Sequence, residues 1–227
     1  MEDAVAIVLA AGGGERLGLP TPKAFVELDG RPMLVYAASA ALACPGIEAL
    51  VAVVPSGWER AASELLDLVG PHTVVVGGPT RQASVRAALD VVPPAAPVLV
   101  CHDSARPFAS AALFAAVLSA LDGVDGVVPV VPVADTVKRI RGDLVDRTED
   151  RAVLALAQTP QAFDAFALRD AHTRAERDDV EVTDDAAALE LAGYRVRTIP
   201  GDPGNFKITS AEDLARAELV ASELARG

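Results

Sequence analysis

Aromatic side chains are scarce in this chain. Phe, Tyr and Trp make up only 4% of its 227 residues, so the core must be built from Ala, Val and Leu. Positive charge is also short: 20 Lys and Arg stand against 32 Asp and Glu, for a formal net charge of −12. That balance excludes the broad basic face that nucleic-acid phosphates require. An anionic small substrate remains open, because a few local cations can reverse the field inside a cleft. Any such site must be a concentrated island of Lys and Arg.

Cysteine is limited to Cys44 and Cys101, both in apolar surroundings. Buried free thiols in a reducing compartment are the expectation. Three scattered histidines and the lack of a C-x-x-C pair argue against a protein zinc site. Neither a Ser-His-Asp order nor an H-E-x-x-H motif is present. No apolar run reaches the roughly 18 residues of a membrane span, and no repeat or low-complexity tract occurs. The opening "MEDAVAIVLAAGGG" lacks a basic n-region and runs straight into a strand. It does not read as a signal peptide, and a cytoplasmic location is expected.

What is present is 51% apolar residues, enough for one α/β domain over residues 1–227. Short β-branched runs read as strands: "AVAIVLA" (4–10), "ALVAVV" (49–54), "TVVVG" (73–77), "PVLVCHD" (97–103), "GVVPVVPV" (126–133) and "YRVRTI" (194–199). Between them lie Ala- and Leu-rich stretches with helical spacing. Strands apolar on both faces, alternating with helices, predict a doubly wound, mostly parallel, Rossmann-like sheet. In such sheets ligands bind beyond the carboxyl ends of the strands. One segment breaks the pattern. "DTVKRIRGDLVDRTEDR" (135–151) is polar and alternating, with a Gly-Asp turn at 142–143. It reads as a protruding β-hairpin arm, about 134–153, that packs on a second subunit. The last helix, about 210–225, is expected to open with a capping box of Thr209 and Glu212. Another helix is expected to start at Thr183 and close at Gly193, with acids at its N-terminal end.

Three loops at the carboxyl edge carry the chemistry. "IVLAAGGGERLGLPTPKAF" (7–25) gathers Gly12, Gly13 and Gly14 with two cations, Arg16 and Lys23. Glycines let backbone N–H groups approach phosphate oxygens. The pattern is neither a P-loop nor G-x-G-x-x-G, since Leu17 stands where the last glycine belongs. A plain tight βα turn is the alternative, but the Pro22-Lys23 pair aims a cation back at the loop and makes a receptacle for a triphosphate. "VCHDSARPF" (100–108) offers Asp103 for a divalent metal or a substrate hydroxyl and Arg106 as a phosphate clamp. An internal Asp–Arg pair is the alternative there, and His102 reads as packed rather than basic. "GGPTRQASV" (77–85) puts Arg81 and Ser84 on one helical face, where they could read a nucleobase or ribose. A Thr80 cap followed by a solvated Arg fits nearly as well. "AQTPQAF" (157–163) reads weakly, as a Thr-Pro helix start. Lys207 reads as a surface lysine, Thr183 as a cap, and the Asp184–Asp185 pair as helix-start charge.

Taken in order, "LAAGGGERLG…PKAF", "GGPTRQASV", "HDSARP", "DTVK", "QTPQAF", "VTDDA" and "GDPGNFKIT" resemble the 2-C-methyl-D-erythritol 4-phosphate cytidylyltransferase family, from about residue 4 to 224. Ser104 stands where an alanine is common in that family. The resemblance implies cytidylyl transfer from CTP to the methylerythritol phosphate, with Mg²⁺, in non-mevalonate isoprenoid synthesis. It implies that the loop of Ala10, Ala11, Gly12, Gly13 and Gly14 cradles the triphosphate while Arg16 and Lys23 stabilise the transition state. Gly78, Arg81, Ser84, Asp103 and Ser104 then lie on the nucleotide. Asp103, with Arg106, faces the sugar phosphate or the metal; Thr159, Thr183 and Lys207 line the substrate region. Thr136 and Arg151 match arm residues that reach the neighbouring site of a homodimer. A cytidylyltransferase for another polyol phosphate, such as ribitol 5-phosphate, and a nucleotide-binding module without turnover are the competing readings. At this length a fused cyclase domain, which some relatives carry, is not expected.

Overall fold

Alternating apolar strands and Ala-rich helices build a layered α/β structure in the computed structural model, which describes residues 4–14, 18 and 20–226. The chain begins with β1 (Ala4–Leu9), the two-residue strands β2 (Glu27–Leu28) and β3 (Arg31–Pro32), and α1 (Met33–Leu42). Next come β4 (Ile47–Val54), α2 (Glu59–Leu66), β5 (His72–Val76), α3 (Arg81–Leu89), β6 (Val98–Asp103) and α4 (Ala111–Ser119). Then β7 (Gly126–Pro132) leads into the hairpin β8 (Lys138–Arg141) and β9 (Leu144–Thr148). The remaining elements are β10 (Ala155–Ala157), β11 (Gln161–Asp164), α5 (Ala165–Arg177), α6 (Asp185–Leu191), β12 (Val196–Pro200) and α7 (Ala211–Leu224).

The main sheet runs β12, β7, β11, β6, β1, β4, β5. β10 continues the β11 edge of β7, because Val130 pairs with Ala157 on one side and Pro200 on the other. Every strand of this sheet is parallel to β1 except β10 and β11. Residues alternate between two cores. Ala6, Val8, Leu50 and Ala52 face α1, α2 and α4, whereas Ile7, Val51, Val53 and Leu99 face α3, α5 and α6. Each fully buried Leu or Ile contributes roughly 1.5–3 kcal/mol. A third, smaller cluster seats α7 through Ala217 and Ala221 on Leu28, Met33 and Ile208. Cys44 and Cys101 are buried and unbonded to each other, as expected of free thiols.

Three local expectations are corrected. The helix at the C-terminal end is capped by Ser210 with Asp213, not by Thr209 with Glu212. Asp213 also accepts from the Thr209 amide and hydroxyl, so one carboxylate satisfies several orphan donors that Glu212, one position earlier, does not. α6 is capped by Asp184 rather than Thr183. "QTPQAF" is not a helix start; its second half is β11, an antiparallel strand wedged between two parallel ones. The arm is present as expected, turning at Gly142 (φ 62°). Ile140, Leu144 and Val145 on it are 60–70% exposed.

Candidate active site

From β1 the chain moves outward through β4 and β5, then returns to the other side of β1 as β6. That reversal leaves a crevice beyond the carboxyl ends of β1 and β6, the switch point where open α/β sheets take ligands. Leu9 and Asp103 are in register across it. A cleft of about 430 Å³ opens there, lined by residues 10–14, Lys23, residues 78–81, Ser84, residues 103–105, Lys207 and Thr209.

The first wall is the glycine loop. Ala10 N–H donates to Val53 O at 2.8 Å, holding the loop's start on β4. Gly14 adopts φ 71°, and a Cβ there would come within 2.9 Å of Lys23 Cβ. Only glycine takes that conformation and that proximity at once. Lys23 opens a 3-10 turn (Lys23–Phe25) in which Ala24 and Phe25 are buried. Phe25 packs on Trp58 at 4.5 Å, so the turn is pinned from behind while Lys23 faces the cleft. Arg16 lies outside the described residues.

The second wall follows β5. Gly77 sits so close to the first loop that a Cβ would meet Ala11 Cβ at 2.3 Å and Ser84 Oγ at 2.9 Å. Ser84 Oγ accepts from Gly78 N–H at 3.2 Å and donates to Gly78 O at 3.4 Å, fixing the approach to α3. Thr80 caps that helix by accepting from Ala83 N–H. Arg81 then enters the cleft, and it is not a solvated cation. Its Nη2 lies 2.8 Å from Asp185 Oδ2 and its Nε 3.4 Å from Asp103 Oδ1.

Asp103 forms the floor. Its other oxygen accepts from Lys207 Nζ at 2.7 Å. Burial alone would push this carboxyl up, but Arg81 and then Lys207 hold it well below the usual carboxylate range. It is therefore an anion flanked by two cations. Arg106, the alternative partner for it, is engaged elsewhere: its Nη1 donates to Asn205 O at 2.8 Å and its Nη2 to Ala157 O at 3.1 Å. These bonds tie the loop that carries Lys207 to the end of β10. Gln158 and Asn205 reinforce the tie through Asp202 O and Thr159 O, each at 2.8 Å.

His102, beside Asp103, is fully buried. Burial lowers its pKa to about 4, partly offset by Asp103. As a neutral ring its Nε2–H donates to Arg106 O at 3.2 Å and its Nδ1 accepts from the Thr159 hydroxyl at 3.0 Å. That hydroxyl also accepts the Asp103 N–H at 3.0 Å. Thr159 thus lies beneath Asp103 as a support. Ser104 likewise gives its hydroxyl to Leu9 O at 2.9 Å, locking the two switch-point loops together.

The cleft collects residues 10–14, Lys23, Gly78, Arg81, Ser84, Asp103, Ser104 and Lys207. Arg106, Thr159, Thr183, Thr136 and Arg151 do not line it. Thr183 is exposed before α6. Thr136 is exposed at the base of the arm, and exposed Arg151 donates to Ala134 O. Reasoning from sequence missed Asp185, which is fully buried rather than a helix-start charge, and its partner His172. Metal fit is narrow. Among the described residues no group of three His, Cys, Asp or Glu could hold an ion, and among them Asp103 is the one carboxylate lining the cleft. Mg²⁺ that arrives on phosphate oxygens needs only one or two carboxylates, so the residues fit a nucleotide-borne ion and not a protein-held one.

Comparison with known proteins agrees with this geometry. The family model described as IspD, 2-C-methyl-D-erythritol 4-phosphate cytidylyltransferase, matches residues 4–223. A Deinococcus radiodurans protein of that name is 40% identical over 98% of this chain and 91% of its own. A bifunctional IspD/IspF enzyme of Anaeromyxobacter sp. (strain Fw109-5) is 42% identical over 96% of this chain. The chain spans 58% of that longer relative. The solved 2-C-methyl-D-erythritol 4-phosphate cytidylyltransferase of Thermus thermophilus superposes with a TM-score of 0.80 at 35% identity, covering 98% of this chain and 100% of that one. By sequence along nearly its whole length and by fold, this chain belongs to the 2-C-methyl-D-erythritol 4-phosphate cytidylyltransferase family.

Proposed function

We propose that the protein transfers the cytidylyl group of CTP to 2-C-methyl-D-erythritol 4-phosphate and releases pyrophosphate, a step of non-mevalonate isoprenoid synthesis. The observation that carries this reading is the pairing of Lys23 and Lys207 on one cleft, across a glycine loop at the switch point of an otherwise acidic chain. A phosphate oxygen of the acceptor attacks the α-phosphorus. The bond from that phosphorus to the bridging oxygen breaks, and pyrophosphate leaves with the electron pair.

Both reactants are polyanions, so their encounter is repulsive without local cations. The attacking phosphate is already ionised near neutrality and needs no general base, in keeping with a buried His102 whose two ring nitrogens are both engaged within the protein. Positioning and electrostatics are then sufficient for catalysis. Residues 10–14 offer backbone N–H groups to the triphosphate, and Lys23, with Arg16, neutralises charge that grows on the bridging oxygens. Gly78, Arg81 and Ser84 hold the cytidine side, with Ser104 beside them. Lys207 meets the acceptor phosphate, with Asp103 holding its ammonium and Arg106 and Thr159 setting the loops behind it. Asp103, together with the triphosphate oxygens, would hold Mg²⁺, which would supply charge neutralisation and orientation. Thr136, Arg151 and Thr183 complete the acceptor side once a second subunit docks its arm, giving a homodimer in the cytoplasm.

A pyrophosphate-release assay with CTP, Mg²⁺ and a panel of polyol phosphates tests the reading. Turnover is expected with the methylerythritol phosphate and far less with ribitol 5-phosphate. The reverse preference would move the assignment to another polyol cytidylyltransferase, and tight CTP binding with no turnover on any acceptor would leave a nucleotide-binding module.

A further inference from the structure

Beneath the nucleotide side of the cleft lies a buried pair, Asp185 and His172, that the proposed reaction leaves unused. Asp185, at the start of α6, is 0% exposed. Its Oδ2 lies 2.8 Å from Arg81 Nη2 of α3, and its Oδ1 accepts from His172 Nε2 of α5 at 3.0 Å. Neither Arg81 Nη2 nor Asp185 Oδ2 has an aligned hydrogen-bond partner, so their contact is chiefly coulombic. Burial pushes the Asp185 carboxyl up, but Arg81 and then His172 hold it below its ordinary range. From this pocket the Arg81 side chain, 25% exposed, emerges into the cleft beside Ser84.

A simple structural tie between three helices is the competing account. Buried ion pairs are poor ties, since the loss of hydration offsets their attraction and apolar side chains of like volume hold helices as well. What an apolar trio does not do is fix the direction of a guanidinium at the cleft wall. Two carboxylates share Arg81, and Asp185 is the nearer, at 2.8 Å against 3.4 Å for Asp103. That division leaves the second oxygen of Asp103 to Lys207. With Asp185 neutralised, Arg81 is drawn onto Asp103, the other carboxylate beside it, and away from the nucleotide wall.

We propose that Asp185, seated by His172, is a positioning residue that holds Arg81 on the cleft wall and so sets the affinity for the nucleoside triphosphate. The inference rests on the nucleotide site described under Proposed function. It is tested by calorimetric titration of CTP with Mg²⁺ in the absence of acceptor, with KM for both substrates and thermal unfolding measured alongside. Asp185→Asn is expected to raise the CTP Kd about tenfold, the scale of one charged contact. The KM for the polyol phosphate should stay within about twofold. In an Arg81→Gln background the same substitution should change the CTP Kd by less than about twofold, because its route of action is gone. His172→Gln, which leaves both charges in place, should weaken CTP binding in the same Arg81-dependent way.

An Asp185→Asn protein that binds CTP as wild type does, or that weakens it equally without Arg81, overturns the proposal. So does an equal rise in both KM values, the mark of general loosening. Should Asp185→Asn fail to fold, His172→Gln made with and without Arg81→Gln reads the same coupling, and no weakening, or equal weakening without Arg81, overturns the proposal. Wild-type protein that binds no CTP at all would instead overturn the reading of the site, and this proposal with it.

Discussion

Asp103 stands between Lys207 and Arg81, while Lys23 faces the same cleft from the glycine loop. Their tests differ accordingly. Lys23→Ala is expected to lower kcat by about 10²–10³ while weakening CTP binding far less, as loss of one preorganised cation does; Arg16→Ala should behave alike. Turnover near wild type in a folded variant would remove that residue from the transition state. His102 gives a pH signature. Its folded pKa of about 4 lies below the ordinary 6.5, so the unfolded chain takes up a proton first as pH falls. The stability tied to the neutral ring is complete above pH 6.5 and is lost between there and about 4. Urea unfolding at pH 5 should show about 2 kcal/mol less stability than at pH 7 from this group, and His102→Gln should remove that difference. An unchanged pH slope in the variant would mean that the buried imidazole is not the sensor.

At the scale of elements, the arm is the part left uncovered. Among the described residues β8 and β9 pair only with each other, and Ile140, Leu144 and Val145 stand exposed along them. If the arm docks on a second copy, Ile140→Asp with Val145→Asp should give a monomer by sedimentation, with acceptor turnover lost and CTP binding kept. Arg151→Ala should raise the KM for the polyol phosphate and leave that for CTP nearly unchanged. Mixed dimers of Arg151→Ala and Lys23→Ala subunits should regain part of the activity. The central parallel strands β1, β4 and β6 were legible because each is apolar on both faces, and the hairpin because it alternates around a Gly-Asp turn. β11 was hidden by its own residues: Pro160 precedes it, and it opens with Gln161, a polar side chain only 1% exposed. The cleft loops were legible from glycines and cations. Asp185 was not, because Asp184 beside it is a true cap and only tertiary contact with Arg81 and His172 separates the two. The contacts of Arg106 were hidden for the same reason, since its partners are backbone carbonyls far along the chain.

For the molecule as a whole, a charge of −12 surrounds a cleft bearing Lys23, Arg81 and Lys207. The nucleotide should bind the folded state alone. At a CTP concentration one hundred times its Kd the protein should gain about 2.7 kcal/mol, which for a chain of this size raises the Tm by about 5–10 °C. No shift with CTP and Mg²⁺ would show that the cleft does not retain the nucleotide. The main sheet also carries a seam. Among the described residues, β7 and β12, from which the arm and the Lys207 loop depart, join the β6–β1–β4–β5 half by strand pairing only through the four residues of β11, with two residue pairs on the β7 side. Narrow junctions of this kind divide a protein into units that open with different free energies. Amide exchange should therefore find the β7–β12 half, residues 127–132 and 196–200, lost in a partial opening that leaves β1, β4 and β6 protected. The cleft wall that carries Lys207 would then belong to a leaf able to swing from the rest like the cover of a book.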